Sequence, residues 1–441
     1  MGVLAINGGP KTVPDGVTRP WPVFGRRDLD GLYGVLERTA PDRDVPEAPH
    51  VGNRAEAARS VNMPGVAPDR DVPEASQSRK TPEIARFEKR FAEYNDVRYC
   101  ILCANGTVSI ELILRALGVG RGDEVIIPPF TFIATASSVI FTGAMPVFAD
   151  VEPETCILSA ESARKKITPR TKAIMPVYVG GRPADLDAFA DLAREAGIYL
   201  IGDAAQAAGS QWKGRGIGSY GIAASFSCQN SKNLTCGEGG IITTDDGELA
   251  GNIRSLLNIG ADKNGGYSDI GAGYNISEWQ ASMLNTQMDS LDGQTAVRME
   301  NAAYLDSLLE PLPYVSPLAA DSRITRNSCH IYAFRILEDK LNGVSRDTFI
   351  DAVRAEGVDL AGCYMPLYDF PCLRDPYAEK IIGGKIDVSP ETPAAERLSR
   401  HEAAWLFQSA LLNDRRVIKS IADAIKKVCE NLDELRRMEA I

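Results

Sequence analysis

Apolar residues along this chain keep two rhythms that take turns. Ile84, Phe87 and Phe91 recur at helical spacing just after Thr81-Pro82-Glu83, a helix-opening tripeptide. Beyond them, short apolar runs alternate with longer amphipathic stretches. The spacing predicts strands over 99–104, 124–127, 146–148, 173–177 and 199–202, with helices over 107–117, 131–141 and 184–196. Two more strands, 222–228 and 241–244, bracket a polar, glycine-rich stretch. Such alternation predicts an α/β fold, with a mostly parallel sheet covered on both faces and a site at the carboxyl ends of its strands. An amphipathic helix follows over 278–299. From about residue 310 the pattern predicts a smaller α+β unit, with a strand at 331–336, a helix at 346–355 and a terminal helix at 417–435. The chain then divides into an N-terminal segment (1–80), a large domain (81–300) and a small C-terminal domain (301–441).

The N-terminal segment opens with Trp21 to Phe24 and a short helix over 28–36. The nine residues APDRDVPEA at 40–48 then recur unchanged at 67–75, and the residues between are rich in Pro, Ala, Arg and Glu. About 41–78 reads as a surface insertion made by a short duplication. A lid over a cleft is the functional alternative.

Composition narrows the class of partner. The chain has 441 residues, 44% of them hydrophobic, and a formal net charge of −11 with no basic run, which excludes nucleic acid and an anionic membrane surface. Nine cysteines lack disulfide-framework spacing, and His50, His330 and His401 lie far apart, so the expectation is a reduced, cytoplasmic protein with no metal site. Cys100 and Cys103 form a CxxC, but within an apolar strand, where buried packing is the reading. The opening MGVLAINGGPK has no basic stretch ahead of an apolar core, and Ile6 stands where N-myristoylation requires Ser or Thr. The uncharged run 125–149 contains Pro128, Pro129, Gly143 and Pro146, and reads as strand, helix, strand rather than a membrane span.

Chemistry gathers around FSCQNSKNLTCGEGG at 226–240, where Lys232 stands among small polar residues ahead of a glycine cluster. A lysine on a rigid turn facing a cleft is desolvated and becomes a nucleophilic amine, whereas the same residue elsewhere is an ordinary loop lysine. Three other features decide between these readings. Asp203 ends the run IYLIGD at the sheet's carboxyl edge, as a helix cap or as the partner of a ring nitrogen. Asn105-Gly106-Thr107 turns from strand to helix, so free amides and the helix dipole can receive a phosphate. Phe132, at the start of the next helix, offers a flat face. With Ser227 as a further phosphate ligand, these make the inventory that pyridoxal 5'-phosphate requires.

These motifs resemble those of the DegT/DnrJ/EryC1/StrS aminotransferases. The similarity is carried by NGT at 105–107, GDEVIIPPFTFIAT at 122–135, ITPRTKAIMPV at 167–177, GDAAQAAGS at 202–210 and the lysine motif, with LAINGGPK and WPVFG near the start also similar. The resemblance implies a fold type I pyridoxal-phosphate enzyme. It makes Lys232 the Schiff-base lysine and Asp203 the partner of the pyridine nitrogen. Gln206 would lie near the ring, Phe132 would stack on it, and Gly106, Thr107 and Ser227 would bind the phosphate. It also implies a homodimer with shared sites, and amino transfer from glutamine or glutamate to a keto-sugar or keto-cyclitol. GCYMPLY at 362–368 and EAAWLFQSALL at 402–412 look most like the branch acting on inosose-type cyclitols. Other pyridoxal-phosphate chemistry on the same scaffold, such as elimination, and a non-catalytic binding protein are the rival readings. One departure stands out. GAGYNISEWQ at 271–280 replaces the family's G-x-N-x-R-M-x-E, in which the asparagine reaches the phosphate from the neighbouring subunit. With a two-residue deletion Asn275 is that asparagine. Without a gap Gly273 takes the position instead, and in both alignments the arginine is missing.

Overall fold

The computed structural model describes residues 3–39, 81–262 and 264–439. The duplicated stretch at 41–78 lies outside them. Seven strands make the large sheet: β1 (Tyr99–Cys103), β2 (Glu124–Ile127), β3 (Met145–Phe148), β4 (Thr171–Ile174), β5 (Tyr199–Asp203), β6 (Ala223–Ser227) and β7 (Gly240–Thr244). Their spatial order is β1-β7-β6-β5-β4-β2-β3. Pairs from β6 through to β3 are parallel, and β7 runs antiparallel to both of its neighbours. The reversal of β7 follows from the short link to β6. The twelve residues that join them form turns and no helix, so the chain returns beside β6 instead of crossing over the sheet.

Both faces of this sheet are buried, as continuous apolar runs require. Leu102, Ile126, Ile174 and Phe226 face one core, while Ile101, Val125, Ile127 and Ile201 face the other. Cys100 and Cys103 are free and buried in opposite cores, because an odd spacing along a strand points side chains to opposite faces. Their packing role is thereby explained.

Several boundaries differ from the sequence reading. Helix α1 covers Arg26–Thr39, α2 Pro82–Tyr94 and α3 Gly106–Ala116, each within a few residues of expectation. The next helix, α4, begins at Ala134 rather than 131, so Phe132 lies ahead of it. The predicted start at 184 moves to Leu186 in α5 (Leu186–Ala196), where Asp185 caps the helix by accepting from the Ala188 amide at 3.1 Å. The long helix α6, Glu278–Leu309, continues ten residues past the predicted end and begins with a Ser277/Gln280 capping box. The predicted terminal helix is two, α8 (Arg415–Cys429) and α9 (Leu432–Glu439), with α7 (Arg346–Ala355) as read. Asn431 breaks the run, its side-chain amide donating to Lys427 O at 2.7 Å.

A second, antiparallel sheet holds β8 (Val315–Pro317), β9 (Ile331–Ile336), β10 (Leu360–Gly362) and β11 (Ala403–Phe407), in the order β8-β9-β11-β10. Its core also takes Leu4 and Val13 from the chain's start. Glu356, fully buried, binds that start in place. Its carboxylate accepts from Ala5 N at 2.8 Å and from the Thr12 amide and hydroxyl, and pairs with Lys427 at 2.8 Å. Burial pulls its pKa up, but Lys427 and the Ala5 and Thr12 donors outweigh that and hold it below the usual carboxylate range.

Candidate active site

The carboxyl ends of β5 and β6, paired in parallel with Ser225 beside Asp203, bring the predicted residues to one edge of the sheet. Asp203 is the last residue of β5 and 3% exposed. Its Oδ2 accepts from the Thr135 hydroxyl at 2.9 Å, and its Oδ1 from the Ala205 amide at 3.2 Å. Burial raises its pKa, and Thr135, Ala205 and the charge of Lys232 only partly oppose this. A buried carboxylate still short of a positive partner is poised to accept one more charged donor.

Lys232 sits in the link between β6 and β7, its amide donating to Gln229 O at 2.9 Å. Burial lowers the pKa of its amine. Asp203, Cys228 and Glu238 pull the other way without cancelling the shift. The residue is half-buried, so the amine is depleted of solvent while remaining reachable. That is the state in which a lysine acts as a nucleophile.

At the neighbouring strand end, Asn105 caps α3, its side chain accepting from Val108 N at 2.9 Å. The amides of Gly106 and Thr107, at the helix start, are ones that a helix leaves without internal partners, and the dipole adds partial positive charge there. Ser227, at the end of β6, closes this turn. A Cβ on Gly106 would stand 2.8 Å from Ser227 Cβ and 3.3 Å from its hydroxyl, so only glycine lets the turn approach so closely. Gly240 is under the same constraint, since a Cβ there would fall 2.2 Å from Asn105 O.

Gln206 is buried, its Oε1 accepting from Gly180 N at 2.7 Å and its Nε2 donating to the Tyr364 hydroxyl at 2.5 Å. Tyr364 packs edge-on against Phe130 and Trp405, at 5.8 and 4.8 Å between ring centroids. Phe132 is 60% exposed in the single chain. Asn275 is exposed too. The adjoining Tyr274 carbonyl accepts from Ala104 N at 2.8 Å, which sets this loop beside the Asn105 turn of its own chain.

Sequence reasoning singled out neither Thr135 nor Tyr364 as a site residue. Thr135 stands in the quoted motif GDEVIIPPFTFIAT, but only the approach of α4 to β5 turns its hydroxyl onto Asp203. Tyr364, in GCYMPLY, served there only as a mark of lineage.

The DegT/DnrJ/EryC1/StrS aminotransferase family model matches residues 69–414. The chain is 35% identical to an L-glutamine:2-deoxy-scyllo-inosose aminotransferase of Streptomyces lividus, over 96% of this chain and 97% of the relative. It is 34% identical to the enzyme of that name from Streptoalloteichus tenebrarius, over 98% and 99%. Among solved structures it resembles 3-amino-5-hydroxybenzoic acid synthase, with a TM-score of 0.78, 28% identity and coverage of 94% and 99%. It resembles DesI, solved with its TDP-sugar product, with a TM-score of 0.77, 29% identity and coverage of 99% of both chains. Fold, lysine turn and relatives agree, and the chain belongs to the DegT/DnrJ/EryC1/StrS aminotransferase family.

Proposed function

We propose that this aminotransferase works with pyridoxal 5'-phosphate and moves the amino group of glutamine to a keto-cyclitol of the scyllo-inosose type in aminocyclitol antibiotic biosynthesis. The observation that carries the cofactor is the meeting, at one sheet edge, of a desolvated lysine, a buried carboxylate short of a charged partner, and a helix start so tight that a Cβ on Gly106 would collide with Ser227. The names of the relatives support the donor and the acceptor.

The residues present fit the group. Gly106 and Thr107 amides and the Ser227 hydroxyl would hold its phosphate, Asp203 its ring nitrogen and Lys232 its aldehyde carbon. Phe132 offers the ring a face, and Gln206, fixed by Gly180 and Tyr364, lies near its edge. When bound, the cofactor supplies an electron sink and stores the amino group between the two halves of a ping-pong exchange. Lys232 anchors it and, once released, moves the proton at the substrate carbon. Asp203 keeps a proton on the ring nitrogen. Mixing the loaded enzyme with a panel of amino acids tests the donor. Glutamine should convert the cofactor's absorbance to that of its amino form, and a scyllo-inosose should reverse the change. Conversion by a different amino acid alone would overturn the assignment.

Gly106→Ala is expected to lose about 1–3 kcal/mol of stability through overpacking against Ser227. It should also weaken cofactor affinity while Lys232 remains in place. Thermal unfolding and cofactor titration read the two effects separately, and unchanged values for both would remove the turn from the site.

The same reading makes the protein a cytoplasmic homodimer whose sites are completed across the two-fold axis, with Asn275 reaching the partner's phosphate site. Among the described residues no helix is long and apolar enough to cross a membrane. The division into 1–80, 81–300 and 301–441 belongs to this proposal. Sedimentation should give a dimer at assay concentration, and Asn275→Ala should weaken cofactor binding by about 1–3 kcal/mol, as for one hydrogen bond to a charged group. An active monomer would sink the shared site, and unchanged affinity would favour the ungapped alignment.

A further inference from the structure

Both chain neighbours of Lys232 are held by groups from the C-terminal part of the molecule. On one side Gln408 Nε2 donates to Ser231 O at 3.3 Å, and Gln408 Oε1 accepts from the buried guanidinium of Arg298 on α6. On the other side Asn233, 4% exposed, donates from Nδ2 to Ser328 O at 2.7 Å. Its Oδ1 lies 3.1 Å from Nδ1 of His330, the residue just ahead of β9. Ser328 is fixed in turn, its hydroxyl donating to Gln206 O at 3.0 Å and its amide to Ser210 Oγ at 2.9 Å.

This bonding pattern determines the state of the imidazole. With Nδ2 of Asn233 spent on a carbonyl, Oδ1 is the acceptor, so His330 carries its proton on Nδ1 and leaves the lone pair on Nε2. Burial, followed by the positive charges of Lys232 and Arg298, pushes its pKa well below the ordinary value. The ring therefore stays neutral at physiological pH. A polar side chain buried this deeply calls for a reason, and packing alone would be met by an apolar residue.

We propose that His330 is a positioning residue for Lys232: by donating to Asn233 it fixes the turn that carries the amine. The inference rests on the proposed role of Lys232 as the reactive amine. His330→Asn keeps a donor where Nδ1 stands, whereas His330→Gln offers one only where Nε2 stands. In the apo-protein, the pH dependence of Lys232 modification by trinitrobenzenesulfonate can be followed on the Lys232 peptide by mass spectrometry. The Gln variant should move the midpoint upward by about one unit, as the amine loses its fixed, desolvated place. Its kcat should fall about 10- to 100-fold with KM for the ketone little changed, the scale of a misplaced reacting group. The Asn variant should stay close to wild type in both. Equal behaviour of the two variants, damaged or undamaged, would overturn the proposal. Absence of lysine-linked cofactor absorbance in the wild-type enzyme would instead overturn the functional reading beneath it.

Discussion

Lys232→Ala is expected to abolish turnover and the absorbance of the lysine-linked cofactor while leaving the fold and much of the phosphate binding intact. The substitution removes the amine that Lys232 brings to the meeting point of β5, β6 and the Asn105 turn, and with it what the proposed mechanism makes both the covalent anchor and the group that moves the substrate proton. Loss of general acid–base catalysis alone costs about 10²- to 10⁴-fold, and the anchor adds to that. The fold should survive because the backbone of the turn is held independently. The Lys232 amide bonds to Gln229 O, Cys236 N donates to Cys228 O at 3.1 Å, and Asn233 is bonded to Ser328. Gly106, Thr107 and Ser227 are untouched, so cofactor titration should show weakened but measurable binding. Turnover within tenfold of wild type would remove Lys232 from the mechanism.

What could be read from the sequence, and what could not, follows from how far apart the contacting residues lie. β2, β9 and α7 fall on the residues expected of them, since each is an apolar pattern bounded by its own turn or cap signals. Lys232, Asp203 and the Gly106 turn were equally legible, because each sits in a motif of a few residues. The far end of α6 was not. Gln287, Thr295, Arg298 and Asn301 are all buried on that helix, which packs on several sides and so shows no single apolar stripe for its whole length. The sequence pattern puts Phe132 in a helix that in the structure begins only at Ala134, because the apolar run gives no sign of where the chain stops leaving the sheet. The partners of the site residues were hidden by distance along the chain. Gln206 and Tyr364 are 158 residues apart, Asn233 and His330 are 97 apart, and no local pattern announces either contact.

Asp203→Asn should separate catalysis from stability in opposite directions. The amide keeps the shape of the carboxylate but cannot hold a proton on a ring nitrogen, so kcat should fall by about 10²- to 10³-fold, or about 3–4 kcal/mol, as for other preorganised electrostatic groups. Cofactor should still bind through Lys232 and the phosphate turn. Stability of the apo-protein should behave differently. Asp203 has a folded pKa raised by burial above its unfolded value, so folding favours its protonated form. The stability this lends is fully present below the unfolded pKa and is lost as pH rises through the folded one. As pH rises, the apo wild type therefore loses stability that the asparagine variant, which does not titrate, keeps. Against this, the amide can satisfy only one of the two donors, Thr135 and Ala205, a loss of about 1 kcal/mol. The variant's unfolding temperature relative to wild type should thus be higher at pH 8 than at pH 4. A variant within a few-fold of wild-type kcat would reduce Asp203 to a capping role. A stability difference independent of pH would show that its carboxylate is matched by its neighbours without any cofactor.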